Sequence, residues 1–183
     1  MIRKFEIEEH YKRIWDTSPE LQRFLDGPTH QLPVDFSVLK FPPKGSRKDW
    51  LYATSSMSQS EDLKQIELHM RSNTEDNSIV ELLYAIAHFH RTGKNLDVGH
   101  TVNFGRPWIE GSKCEYGLVS LPYIDGPELE VLTLRNHAVY FYWIIPVYTA
   151  EVEYKKSHGI ELLEKRFDDV GLRYAEPDRP PVV

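Results

Sequence analysis

The apolar run AVYFYWII at residues 138–145 constrains the fold more than any other stretch of this sequence. Its valine, isoleucine and aromatic residues favour a β-strand. A strand that is apolar along its whole length is buried on both faces, so the run predicts a strand at the centre of a sheet. Residues 131–134, just before the run, predict a second strand. The domain is therefore expected to be built around a sheet.

The clearest helix signal is the segment SIVELLYAIAHFHRT at residues 78–92. Its apolar residues recur at spacings of three and four, which places them on one face of an α-helix: Ile79, Leu82, Leu83, Ile86 and Phe89. Gly93 follows at once and can end the helix as a C-terminal cap. The pattern predicts an amphipathic helix that packs against the sheet and forms part of the core.

Weaker patterns supply the remaining elements. Residues 64–70 alternate between polar and apolar side chains, which is typical of a strand with one buried face. Ser18, Pro19 and Glu20 have the residue types of a helix start, and Gly27 is placed to end that short helix. Further segments have strand patterns, at residues 34–41, 50–54, 101–104 and 116–121, or helix patterns, at residues 2–15, 149–158 and 160–170.

The order of these elements lacks the regular βαβ alternation of a doubly wound fold. It predicts an α+β fold with a mixed, mainly antiparallel sheet that helices cover on one face. The proline-rich tail EPDRPPVV cannot continue a helix, so it is expected to lie extended on the surface or to project from it.

The length of 183 residues predicts one domain, residues 1–183, that can bury a core without disulfides or metals. Its 40% hydrophobic and 27% charged residues are typical of a globular domain. No apolar run approaches the roughly 20 residues of a membrane span, and the charged N-terminal stretch does not have the pattern of a signal peptide. A single cysteine, Cys114, agrees with a reducing compartment, so a cytoplasmic location away from membranes is expected.

The net charge of -6 narrows the class of partner. A general nucleic-acid-binding protein needs clustered lysines and arginines to neutralise phosphates, so that function is not expected. An acidic surface suits a basic partner instead.

Residues 95–126 form the most turn-rich stretch, where glycines and prolines interrupt short strand patterns. Within it, residues 99–116 hold the residue types that dominate binding energy at interfaces, namely Arg106, Trp108 and Tyr116. A loop held between two strands loses less entropy on binding than a free one, so this loop is predicted to face a protein partner. The alternative is that Trp108 points inward and pins the loop.

Histidines near the helix at residues 78–92 do not predict a metal site. On a helix, His88 and His90 point about 200° apart, and no HExxH pattern is present. His100 adds a third imidazole without a carboxylate pair at ligand spacing. The sequence therefore predicts no metal and no other cofactor.

One catalytic alternative stays open. Cys114, with His100 and either Asp97 or Asp125, supplies the residue types of a nucleophile, a base and an orienting group. That set would make the protein a cysteine-dependent hydrolase. A lone cysteine at the start of a strand is more often a small buried hydrophobic residue, and no other catalytic pattern is found.

Several separated motifs then resemble the bacterial suppressor-of-fused domain family in their order along the chain. They include the helix end HRTGKN, GHTVNFGRPW, GLVSLPY, WIIPV, YKKSHG and the closing DRPPVV. The resemblance covers residues 35–183. It implies an α/β-type domain without catalytic activity.

The resemblance also implies a way of binding. Animal relatives grip a short extended peptide of a transcription factor, while bacterial members are often regarded as immunity proteins of polymorphic toxin systems. By motif, the part of the peptide groove that a helix end and the following turn form corresponds to Phe89 and to Gly99 and His100. Animal relatives have an acidic residue where this chain has Gly99. The resemblance thus implies a non-enzymatic protein-binding domain whose partner is a cognate toxin.

Overall fold

The computed structural model describes residues 2–24, 26–27, 29–135 and 137–183. The α-helices are α1 (Ile2–Trp15), α2 (Ser78–Thr92), α3 (Pro127–Glu130), α4 (Thr149–His158) and α5 (Ile160–Val170). The strands are β1 (Glu20–Gln22), β2 (Ser37–Phe41), β3 (Trp50–Ser55), β4 (Gln65–Ser72), β5 (Thr101–Asn103), β6 (Tyr116–Ser120), β7 (Val131–Leu134) and β8 (His137–Val147). No described helix combines the length and apolar character needed to cross a bilayer.

The strands form one sheet in the order β1-β2-β3-β4-β8-β6-β5, and β7 pairs with β8 outside this path. β4 and β8 are parallel, while the other pairs are antiparallel. This architecture confirms the prediction of an α+β fold with a mixed, mainly antiparallel sheet. It also confirms that the apolar run at residues 138–145 lies in a central strand.

Helices cover the sheet on both faces, so the prediction of cover on one face was wrong. Alternate residues of β8 join different clusters of buried residues. Tyr142 and Ile144 pack in the cluster that contains α2 residues. Phe141 packs with α1, and Trp143 with α4 and α5. Because β8 is apolar on both faces, each face needs a helical layer.

β4 is buried along its whole length, which contradicts the prediction of one buried face for residues 64–70. The polar side chains of β4 are buried as well. Glu67, which is fully buried, accepts hydrogen bonds from the Thr54 hydroxyl at 2.6 Å and from the Ser58 hydroxyl at 2.8 Å. Polarity therefore marked one face of the strand correctly but did not mark exposure.

The described residues between Ser18 and Gly27, which are 18–24 and 26–27, do not form the predicted helix, and β1 occupies part of that segment instead. Leu21 pairs with Leu39 in an antiparallel ladder with β2. Ser18 and Pro19 are local signals for a helix start, and pairing with the edge of β2 overrides them here.

The C-terminal tail is anchored by a side chain that the sequence did not single out. Arg179 is 1% exposed and donates hydrogen bonds to both carboxylate oxygens of Glu151, at 2.8 and 2.7 Å, and to the backbone oxygen of Pro146 at 2.8 Å. Glu151 also accepts a hydrogen bond from the backbone nitrogen of Tyr148 at the start of α4. The tail therefore neither projects nor lies only on the surface, because its arginine enters the core.

Candidate functional site

Within the described parts of the chain, the strand β5 lies at one end of the sheet order and pairs with one strand, β6. Thr101 lies opposite Leu118, and Asn103 lies opposite Tyr116. On either side of this stretch, the backbone oxygen of His100 accepts from Val119 and the Phe104 nitrogen donates to Glu115, at 2.9 Å in both cases.

Antiparallel ladders alternate, so residues that bond the neighbour and residues that do not succeed each other along the strand. His100, Val102 and Phe104 turn their backbone groups toward β6. Thr101 and Asn103 therefore direct their backbone N–H and C=O groups to the open edge. The edge is short, because β5 contains only the residues Thr101–Asn103.

Gly99 and His100 form a β-bulge at the start of this edge. The Gly99 nitrogen donates to the Val119 oxygen at 2.8 Å, and the Val119 nitrogen donates to the His100 oxygen at 2.9 Å, so two residues face one. Gly99 has φ of +84°, the conformation that the first residue of such a bulge requires. The space around it would accept a Cβ, whose nearest neighbour would be Ile160 Cδ1 at 3.6 Å. Backbone conformation rather than crowding therefore explains the glycine.

Helix α4 and the loop before β5 hold the bulge in place. Lys155 donates a hydrogen bond to the backbone oxygen of Gly99. His100 Nδ1 accepts from the backbone nitrogen of Asp97 at 3.1 Å, and Asp97 forms an ion pair with Lys64 at 2.7 Å. Burial would raise the pKa of Asp97, but the hydrogen bond from Lys64 and two further ones lower it, so this anchor stays ionised at neutral pH.

Lys155 lies in the motif YKKSHG, one of the motifs that carry the family resemblance. Burial lowers the pKa of this lysine below its ordinary value. Its role in fixing the bulge could not be found from the sequence, because α4 and the bulge lie far apart along the chain.

Phe89 and the side chain of Arg106, which comes from the loop after β5, lie at opposite ends of α2. Arg106 Nη2 donates to the backbone oxygen of Ser78 at 3.3 Å and to the carboxylate of Glu81 at 3.4 Å, both in the first turn. Phe89 lies in the last turn and is 40% exposed. The rise of an α-helix separates Glu81 and Phe89 by about 12 Å along its axis. These two predicted partner-binding residues therefore do not converge on one point.

Tyr116 is the first residue of β6 and is half-buried against the cluster that contains α4 and α5 residues. Its hydroxyl accepts a hydrogen bond from Asn103 Nδ2 at 3.3 Å. Tyr116 thus lies beside β5, in contact with one of the two residues whose backbone faces the open edge.

Trp108 is fully buried in the cluster that contains α2 residues. Its backbone nitrogen donates to the Cys114 oxygen at 3.1 Å, which closes the loop that follows β5. The indole nitrogen has no hydrogen-bond partner among the described residues. In this conformation the indole presents no surface to a partner. The structure therefore favours the alternative in which Trp108 pins the loop.

Among the described residues, Cys114 makes no hydrogen bond or ion pair with a histidine or an aspartate. It is 1% exposed, and burial raises the pKa of its thiol to about 11. Asp97 pairs with Lys64, and Asp125 accepts hydrogen bonds from Trp15 and Arg71. A buried, protonated thiol without a base is a poor nucleophile.

The histidines point to different partners. His88 Nε2 lies 2.7 Å from the amide oxygen of Gln31, whereas His90 Nδ1 accepts from the backbone nitrogen of Leu96 at 3.0 Å. Across the part of the chain that the structure describes, no group of three or more His, Cys, Asp or Glu side chains is arranged to hold a metal ion.

Comparison with known proteins points to one family. A family model described as Suppressor of fused protein (SUFU) matches residues 33–180. The crystal structure of a SUFU homolog from Neisseria gonorrhoeae FA 1090 aligns with a TM-score of 0.87 and 30% identity, over 100% of this chain and 98% of that chain. A search of curated proteins found no match.

Two more distant structures share the fold. The Sufu-Fu complex aligns with a TM-score of 0.71 and 19% identity, over 98% of this chain and 92% of that chain. Drosophila Suppressor of Fused aligns over 96% of this chain with a TM-score of 0.66 and 19% identity, and this chain spans 50% of its length.

Replacement of Trp108 should reduce stability rather than remove a binding contact. Trp108→Ala is expected to lower the free energy of unfolding by about 3–5 kcal/mol, because it removes a fully buried indole and leaves a cavity. Urea denaturation measures this value, and Lys113→Ala, an exposed substitution in the same loop, serves as the control. A loss below about 0.5 kcal/mol, typical of surface positions, would restore Trp108 as an exposed contact residue.

The thiol of Cys114 should react slowly in the folded protein. At pH 8 the raised pKa keeps it protonated and burial blocks access, so labelling by iodoacetamide is expected to be at least about 100-fold slower than in urea. Mass spectrometry after timed quenching measures both rates. A native rate equal to the denatured rate would indicate an activated thiolate and would favour the hydrolase alternative.

Proposed function

Because the chain belongs to the suppressor of fused family, we propose that it is a non-enzymatic protein-binding domain that receives an extended segment of its partner along β5. The observation that carries this proposal is the open edge of β5, where Thr101 and Asn103 direct backbone donors and acceptors outward. An added strand would satisfy these groups by β-augmentation.

The surroundings of the edge set the length of the bound segment. The bulge at Gly99 and His100 marks one end of β5. Arg106, whose side chain contacts the first turn of α2, marks the other end. The path from Gly99 to Arg106 corresponds to a partner strand of about five to seven residues. Phe89 offers an exposed aromatic ring in the last turn of α2, the helix that precedes β5 in the sequence.

The loop that follows β5 supports such a surface by being fixed before binding. Trp108 is buried and its backbone nitrogen bonds Cys114, so the loop loses little conformational freedom when a partner arrives. Arg106 and Tyr116 then supply side-chain contacts at its borders, since arginine and tyrosine are enriched among residues that dominate binding energy. Trp108 contributes by holding the loop.

We further propose that the partner is a cognate toxin, which the protein neutralises by covering its active surface. Support comes from the resemblance to bacterial members of the family and from the net charge of -6, which suits a basic partner. The Sufu-Fu complex is a protein assembly of a relative with the same fold, which agrees with protein binding as the mode of action.

A proline substitution at the edge tests the proposal. The partner in this experiment is the protein encoded by the neighbouring gene. Thr101→Pro removes the outward N–H while leaving the bonds of Val102 to β6 in place. It is expected to weaken binding by about tenfold or more in isothermal titration, because one interstrand hydrogen bond is lost and the proline ring obstructs the incoming strand. Thr101→Val keeps the N–H and is the matched control.

Two results would contradict the proposal. One is equal affinity of Thr101→Pro, Thr101→Val and the wild type, provided that urea denaturation gives the three proteins the same stability. The other is unchanged affinity of the triple variant Phe89→Ala, Arg106→Ala, Tyr116→Ala, which would remove this edge from the interface. If the partner binds through the edge but its toxicity persists in co-expressing cells, protein binding stands and neutralisation does not.

A further inference from the structure

A cleft of about 550 Å³ lies in the half of the sheet away from β5. The end of α1, the loop between β2 and β3, the end of β4 and the segment before α3 form its walls. A cleft of this size is large enough for a small-molecule ligand. Most of the residues around it are polar, so a hydrophilic ligand fits better than an apolar one.

The charge of the cleft is opposite to that of the chain as a whole. Four basic side chains, Lys44, Arg47, Lys48 and Arg71, face three acidic ones, Asp16, Asp49 and Asp125. The cleft therefore has an excess of one positive charge, while the whole chain has a net charge of -6. A local reversal of sign in a concave site attracts ligands of the opposite charge.

Two of the four basic groups bond only to neutral oxygens among the described contacts. Arg47 donates to the Thr17 hydroxyl at 3.2 Å, to the Pro42 backbone oxygen at 2.9 Å and to the Asp49 backbone oxygen. Lys48 donates to the Gly45 backbone oxygen at 3.2 Å. Neither therefore forms an ion pair at the ordinary contact distance in the described residues.

The surroundings of Arg47 disfavour its charged form. Burial lowers the pKa of Arg47 and the positive charge of Arg71 lowers it further, while the carboxylates of Asp49 and Asp125 offset part of this shift. Two guanidinium groups that face the same cleft repel each other, and an anion placed between them would relieve this repulsion. Arginine also binds phosphate and carboxylate oxygens through paired N–H groups, which makes it the residue best suited to such an anion.

The floor of the cleft is fixed before any ligand binds. Arg71, whose side chain is 5% exposed, bonds the carboxylates of Asp125 and, at 3.3 Å, Asp49. Asp125 also accepts from the indole nitrogen of Trp15 at 2.6 Å. Burial would raise the pKa of Asp125, but the neighbouring side chains of His69, at 3.3 Å, and Arg71 lower it, so the ion pair with Arg71 persists at neutral pH.

We propose that this cleft binds a small hydrophilic anion, whose phosphate or carboxylate oxygens are held by Arg47 and Lys48 above the Arg71–Asp125 floor. The site is separate from the β5 edge and does not depend on the proposed protein partner. It would give the domain a second binding function, the recognition of a small anion.

Isothermal titration with two probes tests the site at pH 7 and low ionic strength. Sodium phosphate and sodium citrate separate a phosphate site from a carboxylate site. The wild type is expected to bind at least one of them, and 0.5 M sodium chloride should weaken that binding by screening. Lys48→Gln should weaken it by about tenfold through loss of a charge-assisted contact, and Arg47→Gln by at least as much.

Lys94→Gln is the matched control, because Lys94 is an exposed lysine outside the cleft and the substitution changes the net charge equally. Circular dichroism checks that Arg47→Gln keeps its fold. If that variant unfolds, Lys48→Gln decides the result, since its lysine is exposed and makes one weak backbone contact. Absence of binding by the wild type for both probes, or equal loss in Lys48→Gln and Lys94→Gln, would overturn the proposal.

Discussion

The need of β8 for cover on both faces determines the arrangement of the whole domain. Its alternate side chains enter clusters on opposite faces of the sheet, with α2 on one face and α1, α4 and α5 on the other. β8 also lies between β4 and β6 in the sheet. Apolar surface removed from water contributes about 25 cal/mol for each Å², so the side chains that β8 buries on both faces stabilise the core.

The open edge follows from this central placement. With β8 between β4 and β6, the sheet continues from β6 to β5 and ends there. The bulge at Gly99 and His100 then sets the direction in which β5 leaves the turn, and Lys155 from α4 fixes it. The same helix holds Glu151, whose ion pair with Arg179 anchors the tail. Edge, bulge and tail are therefore supported by one helix.

Much of the fold could be predicted from local patterns, because several independent signals within one segment agree on the element it forms. α2 has the predicted bounds, Ser78–Thr92, since five apolar positions and a following glycine agree. The helix predicted between Ser18 and Gly27 failed because its signals were only local, while the pairing of β1 with β2 depends on a segment some 20 residues away. Cover on one face failed because the sequence does not assign a helix to a sheet face.

The candidate site was only partly accessible to sequence reasoning. Gly99 and His100 were found through motif resemblance, and the structure supplies the physical reason, a bulge that needs positive φ at Gly99. Trp108 was predicted to face a partner because composition cannot separate a buried indole from an exposed one. The backbone groups of Thr101 and Asn103 could not be predicted, because their direction depends on the register between β5 and β6.

Amide hydrogen exchange with and without the partner tests the central claim, that the outer edge of β5 is the binding surface. In the free protein, the amides of Thr101 and Asn103 should exchange rapidly, while those of Gly99 and Phe104, which donate to Val119 and Glu115, should be protected. With the partner bound, exchange at Thr101 and Asn103 should slow by about tenfold or more. Unchanged exchange at both amides in a saturated complex would contradict the account.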